Sequence, residues 1–163
     1  MALWLHLLAI VLVALAAALS VAHALEMPGK MRLDKETYLK VQHIYYPGFT
    51  FGGISEPLGA AATAFLLYFV PAGSSAFWLV LLALVAMFAV MGVFWLVTQP
   101  VNKAWTKGLK MGAAGTGFFG TGGNETTGDW TVLRDRWEWS HVMRALFATL
   151  SFLCLLGALA LRP

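Results

Sequence analysis

Two short stretches hold most of the ionisable side chains that an otherwise apolar chain places at its hydrophobic segments. "HALE" sets His23 three residues before Glu26, and "EWSH" sets Glu138 three residues before His141, with Arg144 one turn further on. A spacing of three puts each pair on one helical face. Glu56 and Asn102 stand at the borders of two further apolar runs. Imidazole beside carboxylate can take up and deliver a proton, and a guanidinium or carboxamide nearby can hold developing negative charge. The same donors can hold a metal. Di-metal carboxylate bundles take Glu from two helices and Glu-x-x-His from two others, and this chain has one such motif, one reversed pair, one Glu and one Asn. Iron or manganese suits the set His23, Glu26, Glu56, Glu138 and His141, and zinc could use part of it. The residues alone allow both metal-bound chemistry and acid–base chemistry without metal.

The elements that must position these groups are membrane helices. Of the 163 residues, 60% are hydrophobic and 12% charged, and the mean hydropathy is +0.73, far above the balance of a soluble domain. Apolar runs cover residues 3–25, 53–71, 75–98 and 139–161. Each approaches the roughly 20 residues that cross a bilayer as a helix, the second only with its polar start. Alternating strands of a membrane barrel do not occur. The expected fold is all-α: one integral membrane domain, residues 1–163, forming an up-down bundle of four transmembrane helices. "LSVAHA" offers a cleavage-like pattern, but no Lys or Arg precedes the apolar core, so the first run reads as a retained helix.

"PAGSS" between the second and third runs forces antiparallel neighbours. With the first and fourth helices also antiparallel, Glu26 falls level with Glu138 and His23 with His141. All four helices then bring a polar group to one end. Small residues lie on the same faces, namely Ala16 and Ser20, Gly59 and Thr63, and Ala145 and Ala148, and such faces let membrane helices approach closely.

Between the runs, "MPGK" is expected to end the first helix. Asp34 can cap a second one running to about Tyr46, stopped by Pro47 and Gly48. Its Lys35, Glu36 and Lys40 alternate with Leu39, Val41, Ile44 and Tyr45, so it is expected to lie as an amphipathic helix on the membrane surface, with Gln42 and Tyr45 able to face the bundle mouth. His43 on this helix and His6 at the opposite membrane face fall outside the site. The glycine-rich stretch 108–128 contains "GTGFFG", which matches a dinucleotide fingerprint in letters but neither follows a strand nor opens a helix. "NET" at Asn124 is a glycosylation pattern that a cytoplasmic loop would not use. Cys154 has no intrachain partner and reads as packing.

The net charge of +3 is spread along the loops, with Lys30, Arg32, Lys35 and Lys40 in the first and Lys103, Lys107, Lys110, Arg134 and Arg136 in the second. No basic domain for nucleic acid is present. The positive-inside rule places both long loops in the cytoplasm and both termini on the other side. A purely interfacial reading of the polar cluster is available, with Trp105, Trp137 and Trp139 as an aromatic belt and Arg144 snorkelling. It explains less well why His, Glu and Asn arrive from every helix at one depth.

With these residues placed, "HALEMPGK", "VQHIYY", "SEP", "QPVNKAW" and "DWTVLRDRWEWSHVMR" together are similar to the anthrone-oxygenase-like family of small four-span membrane proteins. The resemblance implies that His23, Glu26, Gln42, Tyr45, Glu56, Asn102, Trp105, Trp130, Arg134, Trp137, Glu138, His141 and Arg144 are motif positions. It also implies oxidation of a polycyclic anthrone by dioxygen to a quinone, without a known obligatory cofactor. His141 or His23 would then be the base that removes the substrate proton, and Arg144 or Asn102 would stabilise the enolate.

The expected function is thus a membrane oxidoreductase, oxygenase-like, acting on a lipophilic small molecule at a His/Glu/Asn/Arg site, with lipid as its surroundings. The alternative is a non-catalytic accessory subunit, in a homo-oligomer or a larger membrane complex, whose polar cluster fixes helix register. A transporter is disfavoured by the lack of inverted repeats.

Overall fold

The computed structural model describes residues 2–105 and 129–161, and among these all regular structure is helical. In chain order the elements are α1 (Ala2–Lys30), α2 (Lys35–Gln42), a 3-10 turn (His43–Tyr45), α3 (Gly48–Gly53), α4 (Ser55–Phe69), α5 (Ser75–Val93), a π-helical turn (Phe94–Thr98), α6 (Gln99–Trp105) and α7 (Trp130–Ala160). The glycine fingerprint and Asn124 lie outside the described residues, as do Lys107 and Lys110.

Three helical stretches, Leu3–Lys30, Ser75–Trp105 and Trp130–Ala160, are long and apolar enough to cross a membrane. Their outward faces carry bare apolar side chains, among them Leu8, Val11, Trp78, Val85, Phe88, Leu146 and Leu153. An apolar surface this extensive is what a lipid-exposed protein presents. The second apolar run is built differently from expectation. Its α4 has 15 residues, about 22 Å of rise against a hydrocarbon core of about 30 Å, and it is separated from α3 by Ile54. The physical cause is Pro57, which has no N–H for the carbonyl of Gly53. Ile54 nonetheless keeps right-handed helical angles, φ −62° and ψ −24°, so α3 leads directly into α4.

Two other boundaries differ from the sequence reading. The "MPGK" stretch does not break α1, which passes through Pro28 and ends at Lys30. A proline so close to a helix end forfeits little, and Lys30 gains two ion pairs there, the one with Glu138 buried. At the far end of α5, the N–H of Gln99 donates to the carbonyl of Phe94, five residues back. This π turn precedes Pro100, which cannot donate to Leu96. The exposed Arg136 of α7 supplies the missing donor, its Nη2 lying 3.3 Å from the Leu96 carbonyl oxygen.

α1 packs against α7 and α4, and α5 packs against the same two helices. The shared core is small-sided, with Ala9, Val13, Ala16, Ala60, Leu66, Val80, Ala83, Met87, Leu155 and Ala158 buried together with the free Cys154. A Cβ on Gly59 would lie 3.2 Å from Val13 Cγ2, which shows how closely α4 approaches α1. Ser151 Oγ donates to the Ala83 carbonyl at 2.9 Å and ties α7 to α5. These contacts are van der Waals packing and hydrogen bonds, the forces left to helices in lipid.

Candidate active site

The N-terminal half of α7 faces the C-terminal end of α1, and both are capped by α2, the 3-10 turn and α3. Asp34 caps α2 as its type predicts, accepting the Thr37 N–H at 2.9 Å, while Asp129 caps α7 through Thr131. α2 does not lie wholly on a surface. Tyr38, one turn in, is fully buried, and Tyr45, seven residues later and so on the same face, is 2% exposed.

At the centre is a small cavity of about 30 Å³ between α1, the Tyr45–Gly53 segment, α4, the π turn and α7. That is room for one or two waters. His23 and His141 face each other across its wall with ring centroids 4.3 Å apart. Around His23 stand Tyr45 at 4.4 Å, Phe49 at 4.5 Å and Trp137 at 5.2 Å. Glu56, Asn102 and Arg144 also line the cavity, as do Phe94 and Thr98 from the π turn. The extra residue of that turn keeps Phe94, Thr98 and Asn102 on one side of the helix, a known use of π turns at functional sites.

Hydrogen bonds fix the state of His141. Its Nδ1 lies 2.9 Å from the Trp137 carbonyl, which can only accept, and its Nε2 lies 3.2 Å from Arg144 Nη1, which can only donate. The ring therefore carries its proton on Nδ1 and presents a lone pair from Nε2 to the guanidinium. Arg144 also donates from Nη2 to Glu56 Oε1 and stacks over Phe94 at 5.1 Å. The Trp137 carbonyl accepts a second bond from Ser140 Oγ at 2.7 Å, so Thr98 is the donor to Ser140 Oγ at 2.8 Å. Trp137 Nε1 donates to Asn102 Oδ1 at 2.8 Å. In contrast, His23 makes no hydrogen bond among the described residues, and its Nδ1 is fully enclosed.

A second layer lies beside the cavity. Lys30 Nζ sits between the two other carboxylates, 3.1 Å from Glu138 Oε2 and 3.6 Å from Glu26 Oε2, and 4.7 Å over the ring of Trp137. Each carboxylate also takes a phenol proton donor: Tyr38 to Glu138 Oε1 at 2.6 Å and Tyr45 to Glu26 Oε2 at 2.5 Å. Burial, then these bonds, push both phenols above their ordinary value of 10.0.

The structure thus brings together all seven residues that the sequence singled out, in two layers. His23, His141, Arg144, Glu56 and Asn102 surround the cavity, while Glu26 and Glu138 flank it through Lys30. Of the neighbouring motif positions, Trp105 packs between Tyr38 and Trp137 and Arg134 covers Trp130; Trp139 of the anticipated aromatic belt is exposed, and of that belt's three tryptophans it alone stands free. His43 is exposed, and His6 is at the other end of the helices, its Nε2 donating to the Leu155 carbonyl at 2.9 Å. Lys30, Tyr38, Phe49 and Thr98 were not anticipated. The signal for Tyr38 was its seven-residue spacing from Tyr45; for Lys30 it was the four-residue spacing from Glu26, masked by the intervening Pro28 and Gly29.

The metal-centre expectation for His23, Glu26, Glu56, Glu138 and His141 does not fit this geometry. Among the described residues no three His, Cys, Asp or Glu side chains converge to hold an ion. The reason is that every carboxylate is engaged elsewhere, Glu56 by Arg144 and Glu26 and Glu138 by Lys30 and a tyrosine. Two buried cations within the cluster would also repel a metal ion.

A family model described as anthrone oxygenase matches residues 43–154. The chain belongs to the anthrone oxygenase family. No curated protein and no solved structure matches it. Membership carries an oxygenase-like function at the level of the family. The matched part of this anthrone oxygenase family member includes Tyr45, Glu56, Asn102, Trp137, Glu138, His141 and Arg144. It begins after His23, Glu26, Lys30 and Tyr38.

Proposed function

We propose that this protein is a four-span membrane oxygenase, its long loops cytoplasmic and its termini opposite, that oxidises an anthrone-class lipophile with dioxygen. The observation that carries the reading is His23: a buried imidazole with no hydrogen bond among the described residues, on the wall of a cavity, 4.3 Å from a second imidazole. A buried polar group left without a partner calls for an explanation, and a role as general base is one. Loops rich in cations support the sidedness, and α3 leading into α4 supports a fourth span.

An anthrone-class substrate has a CH₂ flanked by aromatic rings and conjugated through them to a carbonyl. His23 removes one CH₂ proton, leaving an enolate whose oxygen is held by Arg144. The carbanion carbon bonds to dioxygen, and His23 returns a proton to give a hydroperoxide. Removal of the second C–H proton then forms the C=O as the O–O bond breaks, and the departing hydroxide leaves as water. One CH₂ and one O₂ become one C=O and one H₂O, so no further oxidant or reductant is required. His141, fixed by Trp137 and Arg144, orients the guanidinium. A ring system needs more space than the cavity offers, so Tyr45 and Phe49 must move aside to admit it. Purified protein given an anthrone and isotope-labelled dioxygen should release a quinone with one labelled oxygen. Label entering from water instead, or no quinone, would refute the reading.

A further inference from the structure

Of the two carboxylates bridged by Lys30, only one reaches water. The Glu26 side chain is 40% exposed and that of Glu138 is 0%. Glu26 Oε2 also lies 3.8 Å from the enclosed Nδ1 of His23, one helical turn away on the same face. The same oxygen is held from two other sides by the phenol of Tyr45 at 2.5 Å and by Lys30 Nζ at 3.6 Å. Closing 3.8 Å to a hydrogen bond of about 2.9 Å needs a movement of about 0.9 Å, which is within ordinary side-chain motion.

We infer that Glu26 is the proton port of the site, a positioning residue that connects the buried His23 to water. The inference rests on the reading of His23 as the base. A proton arriving on Nε2 from the substrate is matched by release of the Nδ1 proton to Glu26 Oε2, and Glu26 passes it to water. Return of a proton by the same route resets the ring, and no net proton is consumed. Glu138 cannot serve, because its side chain is sealed from solvent. Among the described residues, the other charged or titratable groups around the path are Lys30 on α1, Tyr45 from the 3-10 turn, and His141, Glu138 and Arg144 on α7. Lys30 and Tyr45 hold the carboxylate, and Arg144 is engaged by Glu56.

The test is the exchange of the His23 ring proton with water, read by NMR on protein labelled only in its four histidines and assigned with His23→Gln. In Glu26→Gln the exchange at His23 should slow at least tenfold, a modest share of the roughly 10²-fold and larger effects of positioned acid–base groups. Exchange at His141 should not change. Formate added to Glu26→Gln should restore the His23 rate, which a merely structural loss would not allow. Should Glu26→Gln fail to fold, Tyr45→Phe frees the same oxygen from a competing donor and should speed His23 exchange while leaving His141 unchanged. Unchanged exchange at His23, or slowing that formate does not relieve, overturns the port. Because the readout needs no turnover, absence of anthrone oxidation in the wild type would count against the proposed activity alone.

Discussion

Lys30 Nζ and Glu138 Oε2 lie 3.1 Å apart, joining the last turn of α1 to α7 in a place closed to solvent. Breaking a buried pair from one side leaves an uncompensated charge, at a cost of about 3–5 kcal/mol. Lys30→Met should therefore destabilise the protein by about that amount in detergent denaturation. The double variant Lys30→Met with Glu138→Gln should recover most of the loss. Wild-type stability of Lys30→Met alone would show that the pair does not hold α1 to α7.

Arg144 spans Glu56 and His141 with separate guanidinium nitrogens. Lysine keeps the charge but loses the planar fork. Arg144→Lys should stay folded and turn over an anthrone about 10²–10³-fold more slowly, the size of a lost charge-stabilising donor. Equal turnover in the two proteins would remove Arg144 from the chemistry.

The raised phenols make stability sensitive to alkali. Tyr38 is pushed above 10.0 first by burial and then by its bond to Glu138, and Tyr45 by burial and its bond to Glu26. Above about pH 10 an unfolded tyrosine loses its proton while these two keep theirs, so the unfolded state binds fewer protons and stability falls as pH rises. Their contribution is complete below about pH 10 and disappears as pH passes through the folded values. Tyr38→Phe and Tyr45→Phe should thus leave the tyrosinate absorbance of the folded protein unchanged just above pH 10, yet each should reduce it in denaturant. A drop in the folded protein would mean that the phenols are not sealed.

Because Lys30, Arg144 and the two tyrosines occupy the carboxylates, no stoichiometric metal should purify with the protein. Elemental analysis of protein grown with iron, manganese and zinc, and never exposed to chelators, checks this. Metal bound at one ion per chain and lost in His141→Ala would restore the metal-centre reading.

Much of this site was legible because helix geometry is simple. Antiparallel α1 and α7, with His and Glu three residues apart in opposite order, place His23 beside His141 and Glu26 beside Glu138. The small faces at Ala16, Ser20, Gly59, Thr63, Ala145 and Ala148 are buried, as their lipid-helix chemistry suggested. Local rules misled where tertiary contacts outweighed them. Pro28 and Gly29 read as a stop, but Lys30 lies beyond them because two carboxylates receive it. Tyr38 sits among Glu36, Lys40 and Thr37 and reads as surface, although Glu138, far off in sequence, buries it. The π turn had no signature beyond Pro100, since its partner donor is Arg136 on another helix.

The most direct test of the account is the rate of anthrone-dependent oxygen uptake by His23→Gln beside wild type, with folding of both verified by circular dichroism and unfolding temperature. Glutamine keeps the polarity and approximate size of the ring but cannot accept the proton. Loss of at least about 10²-fold, in line with removal of a general base, is the predicted result. Uptake by the variant at the wild-type rate would contradict the assignment of His23, and with it the claim that the facing imidazoles of α1 and α7 form the reactive centre.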